Sequence, residues 1–398
     1  MSEPHEIVRL AARGDGVTAG GLHVRGSLPG DVVVDQKIEA HGPHHVAPVC
    51  RHFGKCGGCQ LQHADEDVLT GFVTDRVINA AKGQGIAFEE QLPTHLSPPQ
   101  SRRRATLHAL RTAKGAVLGY REAGSHKIVD LAECSVISSQ LAGLIPPLRE
   151  FVAQHGSRNA IDAAMTLTDQ GVDLGLKNIS LDGLAAIEGA LDFARSHSLA
   201  RLTVDQGYGP EKHWEPEPVT ITLSGVPVGA PPGTFLQAAA DAEALMIEDA
   251  KEWLADSRLV ADLFAGLGTF AFGLREGRKV LAAEADQAAY LACKAAAGIS
   301  GGTVHPIHRD LFRNPVQASE LDRFDAVLLD PPRAGAKTQI QEIAASTIKR
   351  VVYVSCNPSS WARDAATLVA AGFKPMKLRP IGQFRWSTHV ELTSLFVR

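Results

Sequence analysis

The chain has 398 residues, 44% of them hydrophobic and 21% charged, and a net charge of −4. That length exceeds what one hydrophobic core organises, so two or three domains are expected, and the composition is that of an ordinary globular protein. No apolar tract reaches the roughly 18 residues needed to span a bilayer, and the start MSEPHEIVRLAARGDG lacks the features of a secretion signal, so a cytoplasmic protein without membrane contact is expected.

Residues 6–38 alternate short apolar runs with glycine, as in LPGDVVVD. Brief strands with turn signals this close predict a small OB-like β-barrel, domain 1–46. The linker AHGPHHVAP follows; its histidines are potential metal ligands, but a solvated linker is the expectation. The chain then enters CRHFGKCGGCQLQH, which holds three of the six cysteines, Cys50, Cys56 and Cys59. In a cytoplasmic chain this spacing points to metal, redox or core roles and not to disulfides.

Residues 60–135 read as mixed, with helical spacing in ADEDVLTGFVTDRVINAAKG and strand character in AVLGYREAGSHKIVD. Residues 101–130 carry seven Lys/Arg against two acids, either a phosphate-neutralising face or a solvated basic surface. From 137 to 235, helix-like LDGLAAIEGALDFARSHS alternates with strand-like AAMTLTDQGVDLGL and EPVTITLSG, so an α+β domain over 47–235 is expected.

After VPVGAPPGTF the rhythm changes to helices alternating with strands RLVADLF, KVLAAE, FDAVLLD and VVYVSC. This predicts an α/β, doubly wound, mostly parallel sheet over 236–398. Ligands of such sheets bind beyond the carboxyl ends of the strands. Four features fall there: the turn DLFAGLGTFA with Gly266 and Gly268, Glu284, Asp330 in LLDPPRAG, and Cys356. The glycines accommodate either a nicotinamide dinucleotide or S-adenosylmethionine, and a carboxylate at Glu284 suits ribose hydroxyls. The prolines after Asp330 stiffen its loop. A strand-end thiol suits methylation of a pyrimidine carbon. Adding a thiolate across C6 of uracil turns C5 into a nucleophile, and a base must later remove the C5 proton. Glu391 in RWSTHVELTSLFVR is a candidate for that base.

With these residues assembled, the chain resembles the RNA 5-methyluridine methyltransferase family over essentially its whole length. YVSCNPSS is similar to the family's nucleophile motif and STHVE to its base motif, which assigns those roles to Cys356 and Glu391. DLFAGLGTF, the Glu284 strand end, RDLF with Asp310, LLDPPR with Asp330 and GTFLQ with Gln237 are similar to its cofactor and substrate loops, and Phe264 would touch the cofactor. Ala265 and Ala239 depart from the cysteine and asparagine usual at those places. The resemblance implies a Rossmann-like methyltransferase domain, S-adenosylmethionine as cofactor, an OB/TRAM-like barrel at the N-terminus and a monomer. It also makes Cys50, Cys56, Cys59 and Cys134 the ligands of a [4Fe-4S] cluster, although thiolates suit zinc equally well. Barrel and cluster together mark the branch acting on 23S ribosomal RNA, with transfer RNA as the alternative.

Three other functions fit the residues less well. A cluster-bearing RNA-binding protein without activity conflicts with retention of thiol, carboxylate and cofactor loop. Radical chemistry uses Cys-x3-Cys-x2-Cys, not the x5 spacing found between Cys50 and Cys56. A nicotinamide oxidoreductase leaves the thiol and the Asp-Pro-Pro loop without a task. Cys293 is expected to be core.

Overall fold

In the computed structural model, which describes residues 3–398, glycine-rich turns cut the N-terminal segment into β1 (His5–Leu10), β2 (Gly16–Thr18), β3 (His23–Val24), β4 (Val32–Val34) and β5 (Lys37–Ala40). They pair antiparallel in the order β3-β2-β1-β4-β5 around Ile7, Val24 and Val33. The edge strands β3 and β5 are not paired to each other, so the expected barrel is a curled, open sheet. Strands this short cannot supply the stagger that closure requires.

Helix α1 (Glu66–Lys82) is capped by Asp65, whose carboxylate accepts the Val68 amide at 2.9 Å. Its apolar face, including Val68, Phe72 and Val77, shares a hydrophobic cluster with Val351, Tyr353 and Phe396. The short strands β6 (Glu90–Gln91) and β7 (His95–Leu96) then pair with a strand near the C-terminus. The packing therefore differs from the expected boundaries: residues 61–96 join the C-terminal body, because α1 has one apolar stripe and the C-terminal sheet has a face to cover.

The middle of the chain forms β8 (Arg104–Thr112), β9 (Gly115–Gly119), α2 (Ser139–Gly143), α3 (Ile145–His155), β10 (Ile161–Thr168), β11 (Gly171–Lys177), α4 (Leu184–Ser196), β12 (Arg201–Asp205) and β13 (Pro210–Trp214). Their sheet runs β13-β12-β11-β10-β8-β9, and alternate residues such as Ile161, Ala163 and Met165 pack on α3 through Leu148, Phe151 and Val152. The stretch expected to be extended from 116 to 130 is a strand only as far as Gly119, before a turn at Gly124 with φ of 70°. A hairpin, β14 (Thr220–Leu223) and β15 (Val226–Gly229), packs against the C-terminal core, so residues 219–230 also belong with that body.

The C-terminal body contains α5 (Ala240–Trp253), β16 (Leu259–Leu263), α6 (Thr269–Leu274), β17 (Lys279–Glu284), α7 (Gln287–Ile299), β18 (Val304–His308), α8 (Ala318–Leu321), β19 (Ala326–Leu329), α9 (Lys337–Ala345), β20 (Arg350–Ser355), α10 (Pro358–Ala370), β21 (Lys374–Gly382) and β22 (Glu391–Val397). The sheet order is β18-β17-β16-β19-β20-β22-β21-β6, parallel from β18 to β20 and antiparallel at β22. The chain winds outward from β16 in one direction and resumes at β19 in the other, which opens a crevice at their carboxyl ends. Among the described residues no helix is long and apolar enough to cross a membrane.

Candidate active site

Between the end of β16 and α6 the backbone takes positive φ at Phe264 (65°), Gly266 (56°) and Gly268 (93°). A Cβ on Gly268 would lie 2.8 Å from the Phe272 ring and 2.9 Å from Cys293 Sγ, so the position requires glycine. Cys293 is 1% exposed and packs beneath this turn. Glu284 Oε2 accepts the Gly266 amide at 2.8 Å, while Oε1 accepts the amides of Ala285 and Asp286 at 2.8 and 2.6 Å. The carboxylate thus fixes the glycine turn. After β18, Asp310 accepts the Phe312 amide at 3.0 Å, and the half-exposed Phe312 ring lies 5.4 Å from that of Phe264. These two rings form an apolar lip suited to a flat heterocycle.

Asp262, inside β16, was not singled out from the sequence. It is fully buried, and neither carboxylate oxygen has a hydrogen-bond partner. Burial, reinforced by the Glu284 charge, pushes its carboxyl up to about 7. An acid in an otherwise apolar strand just before a glycine turn was the available signal. A buried carboxylate without a partner is costly, and the ammonium of an S-adenosylmethionine molecule in this crevice would relieve it. Folding disfavours the ionised form here, so the cofactor-free protein should lose stability as pH rises from about 4 to about 7. Asp262→Asn should flatten that dependence in thermal melts and weaken S-adenosylmethionine binding in calorimetry.

The segment YVSCNPSS explains its own turn. Asn357 caps α10 by accepting the Ser359 amide at 3.1 Å, and Pro358 occupies the first helical turn, where its missing N–H costs nothing. The Arg333 carbonyl accepts from Asn357 Nδ2 at 2.8 Å and from Ser360 Oγ at 2.9 Å, which latches the Asp-Pro-Pro loop to the residues after Cys356. The β20–β22 ladder ends at Ser355 opposite Leu392, so the next pair in register is Cys356 and Glu391. Directly opposed residues of an antiparallel pair point to the same face with Cβ atoms about 4.5–5.5 Å apart.

Glu391 is 6% exposed and lies on an interior strand, not at an edge. Burial raises its carboxyl to about 7. Burial also raises the Cys356 thiol to about 11, helped by the charges of Glu391 and Asp330 and opposed by Arg333. Asp330 is pushed well above the usual carboxylate range by burial and then by Glu391, and its Oδ2 accepts from Gln237 Nε2 at 2.9 Å. Gln237 Oε1 in turn accepts from Gln383 Nε2 at 3.2 Å, and Gln383 Oε1 takes the amides of Ala238 and Ala239. Gln383 and Asp262 are the site residues that sequence reasoning missed; nothing local marks a glutamine just after β21. Ala239 begins α5 without a side-chain cap, a structural result of the departure noted above.

The triple-arginine run differs from the expected basic face. All three side chains are part-buried: Arg103 donates to the Gln237 carbonyl at 2.9 Å and pairs with the buried Glu243, while Arg102 donates to the Arg104 carbonyl at 2.8 Å. The Arg104 guanidinium lies 4.4 Å above the exposed ring of Phe235. They stitch the middle domain to the crevice.

Cys50, Cys56, Cys59 and Cys134 line one cavity with Arg102 and Tyr120. All four are free thiols; burial raises Cys50, Cys56 and Cys59, the last to about 12. The Tyr120 hydroxyl beside them is buried without a hydrogen-bond partner. The amides of Gln60 and Leu61, directly after Cys59, donate to the Trp386 carbonyl at 2.8 and 2.9 Å in the loop that leads to Glu391.

Comparison with known proteins agrees with this arrangement. The tRNA (uracil-5-)-methyltransferase family pattern matches residues 307–398. An RNA methyltransferase of Zymomonas mobilis is 46% identical over 394 residues, covering 99% of each chain. The 23S rRNA (uracil(1939)-C(5))-methyltransferase of Shewanella halifaxensis is 30% identical over 412 residues, 94% of this chain and 90% of that one. The crystal structure of Pyrococcus abyssi tRNA (uracil-54, C5)-methyltransferase in complex with S-adenosyl-L-homocysteine superposes with a TM-score of 0.78 at 23% identity, covering 99% of each chain, a likeness of fold. The glycine turn, the strand-end thiol and these similarities lead to one conclusion: the chain belongs to the RNA (uracil-C5)-methyltransferase family, enzymes that methylate uracil in RNA from S-adenosylmethionine.

Proposed function

We propose that this protein methylates C5 of a uridine in 23S ribosomal RNA, with Cys356 as nucleophile and Glu391 as base. The observation that supports the mechanism is the ladder register: Ser355 pairs with Leu392, and Cys356 and Glu391 are the residues that follow and precede that pair at the carboxyl edge of the sheet. The target base leaves its stack, which costs roughly a few kcal/mol and least in a loop. The exposed Phe235 ring, beneath Arg104, offers it a stacking surface. The Cys356 thiol, protonated at rest, gives up its proton to solvent and adds to C6 as the thiolate, and the displaced electron pair makes C5 nucleophilic. Phe264, Gly266, Glu284, Asp310, Asp330 and Asp262 would hold S-adenosylmethionine, which when bound would supply an electrophilic methyl group to C5. Glu391 then takes the proton from C5, and the C6–S bond breaks to restore the double bond and the thiolate. Gln237 holds Asp330 at the pyrimidine edge.

As an acid raised to about 7, Glu391 is the required carboxylate above that pH and protonated below it. Turnover limited by proton removal should rise about tenfold per pH unit below 7 and flatten above, and this inflection should vanish in Glu391→Gln.

The ribosomal substrate is supported by the similarity to the Shewanella enzyme. Mapping 5-methyluridine by mass spectrometry in RNA from a strain lacking this protein tests it: loss from 23S rRNA is expected, and loss from transfer RNA alone would overturn the ribosomal assignment.

The four cysteines are proposed to hold a [4Fe-4S] cluster, with the Tyr120 hydroxyl as a donor toward it. Four sulfurs on one zinc at about 2.3 Å would stand about 3.8 Å apart. The support for a shared group is that all four line one cavity. Anaerobic purification should yield iron and sulfide; zinc alone would refute the cluster.

A further inference from the structure

Three donor atoms converge at the junction of the N-terminal sheet and the linker. Asp31, His41 and His45 each contribute one atom to a group within 4.8 Å. His45 Nε2 lies 2.9 Å from both Asp31 oxygens and 3.1 Å from His41 Nδ1, and His41 Nδ1 is 3.8 Å from Asp31 Oδ1. The linker is therefore not free in solvent: the Asp31 side chain is fully buried and that of His45 only 20% exposed.

Hydrogen bonding between His45 and Asp31 does not satisfy His41 Nδ1 as well. A single Nε2 proton on His45 serves one acceptor, and a nitrogen that donates to Asp31 cannot also accept from His41. The Asp31 oxygens already receive the amides of Gly42 at 2.7 Å and Leu28 at 2.8 Å, which fixes the carboxylate before any imidazole arrives. What remains is one oxygen and two nitrogens within 4.8 Å of one another. Separations of 2.9, 3.1 and 3.8 Å bracket the edge of about 3.3 Å expected of a tetrahedron with metal–ligand bonds of about 2.0 Å. A third imidazole stands beside them: His63 is 8% exposed, neither ring nitrogen is hydrogen-bonded, and its ring centroid is 5.6 Å from that of His45. Imidazole and carboxylate donors in a tetrahedral set suit zinc.

We infer that Asp31, His41 and His45 form a mononuclear site for a divalent ion of the zinc class, separate from the cysteine cavity. Asp31 immediately precedes β4, the two histidines belong to the linker, and His45 bridges in strand fashion to Ala64, a few residues after Cys59. An ion here pins the sheet to the segment that carries the cysteine loop.

The test uses the purified full-length protein dialysed against micromolar Zn2+. His41 is the substitution of choice, because its side chain is 61% exposed and its removal opens no core. Wild type should retain one more zinc per chain than His41→Ala, with a zinc absorption edge fitted by nitrogen and oxygen donors, and Zn2+ should raise its melting temperature but not that of the variant. Loss of the histidine should raise the zinc dissociation constant more than about tenfold. Cys134→Ser should keep this zinc. Equal zinc in wild type and His41→Ala, or zinc ligated by sulfur only, would overturn the proposal and leave a hydrogen-bonded Asp-His pair.

Discussion

Cys356→Ala is expected to lower methyl transfer by roughly four orders of magnitude or more, the scale on which loss of a covalent nucleophile acts. Without a sulfur to add at C6, C5 of uracil has no electron pair to offer, and no neighbouring group substitutes: Glu391 and Asp330 are carboxyls, and Arg333 is a cation. The fold should be indifferent, because Cys356 is partly exposed at a strand end and its loop is held by Asn357 and Ser360 on the Arg333 carbonyl. S-adenosylmethionine affinity and RNA affinity should therefore match wild type while labelled methyl incorporation disappears. Turnover within tenfold of wild type would remove Cys356 from the mechanism.

Glu391→Gln should behave differently. Addition and methyl transfer precede the step that needs the base, so the variant should stall with RNA joined to Cys356 and the methyl group already on C5. The adduct should survive a denaturing gel and be absent when Cys356 is also replaced. Gln383 keeps the site intact for this comparison, because it is held by the Ala238 and Ala239 amides. Steady-state product should fall by roughly 10²–10⁴, the usual contribution of a positioned base. Normal release without a trapped adduct would move the base elsewhere.

Much of this site was legible before any coordinates, for a definite reason. Strand-helix alternation in the C-terminal half is a local pattern, and in a parallel sheet the carboxyl end of every strand meets the same crevice. Glu284, Asp330 and Cys356 could therefore be gathered from their places at strand ends alone. The cysteine spacing and the STHVE segment carried the rest through family likeness. Charge counting could not give direction: Arg111, Lys114, Arg121 and Lys127 of the basic run are exposed, whereas Arg103 turns inward to Glu243 and Gln237.

What the chain encodes locally, then, is which segments are helix or strand and which chemistry stands at their ends. Only the folded molecule decided that Gln383 reaches Ala238, 145 residues away, and that Asp262 lies buried without a partner. The same holds for residues 61–96, which cover the C-terminal sheet, and for the convergence of Asp31 with His41 and His45. Periodicity reports the face a residue presents within its own element, whereas burial and long-range pairing depend on which distant element meets that face.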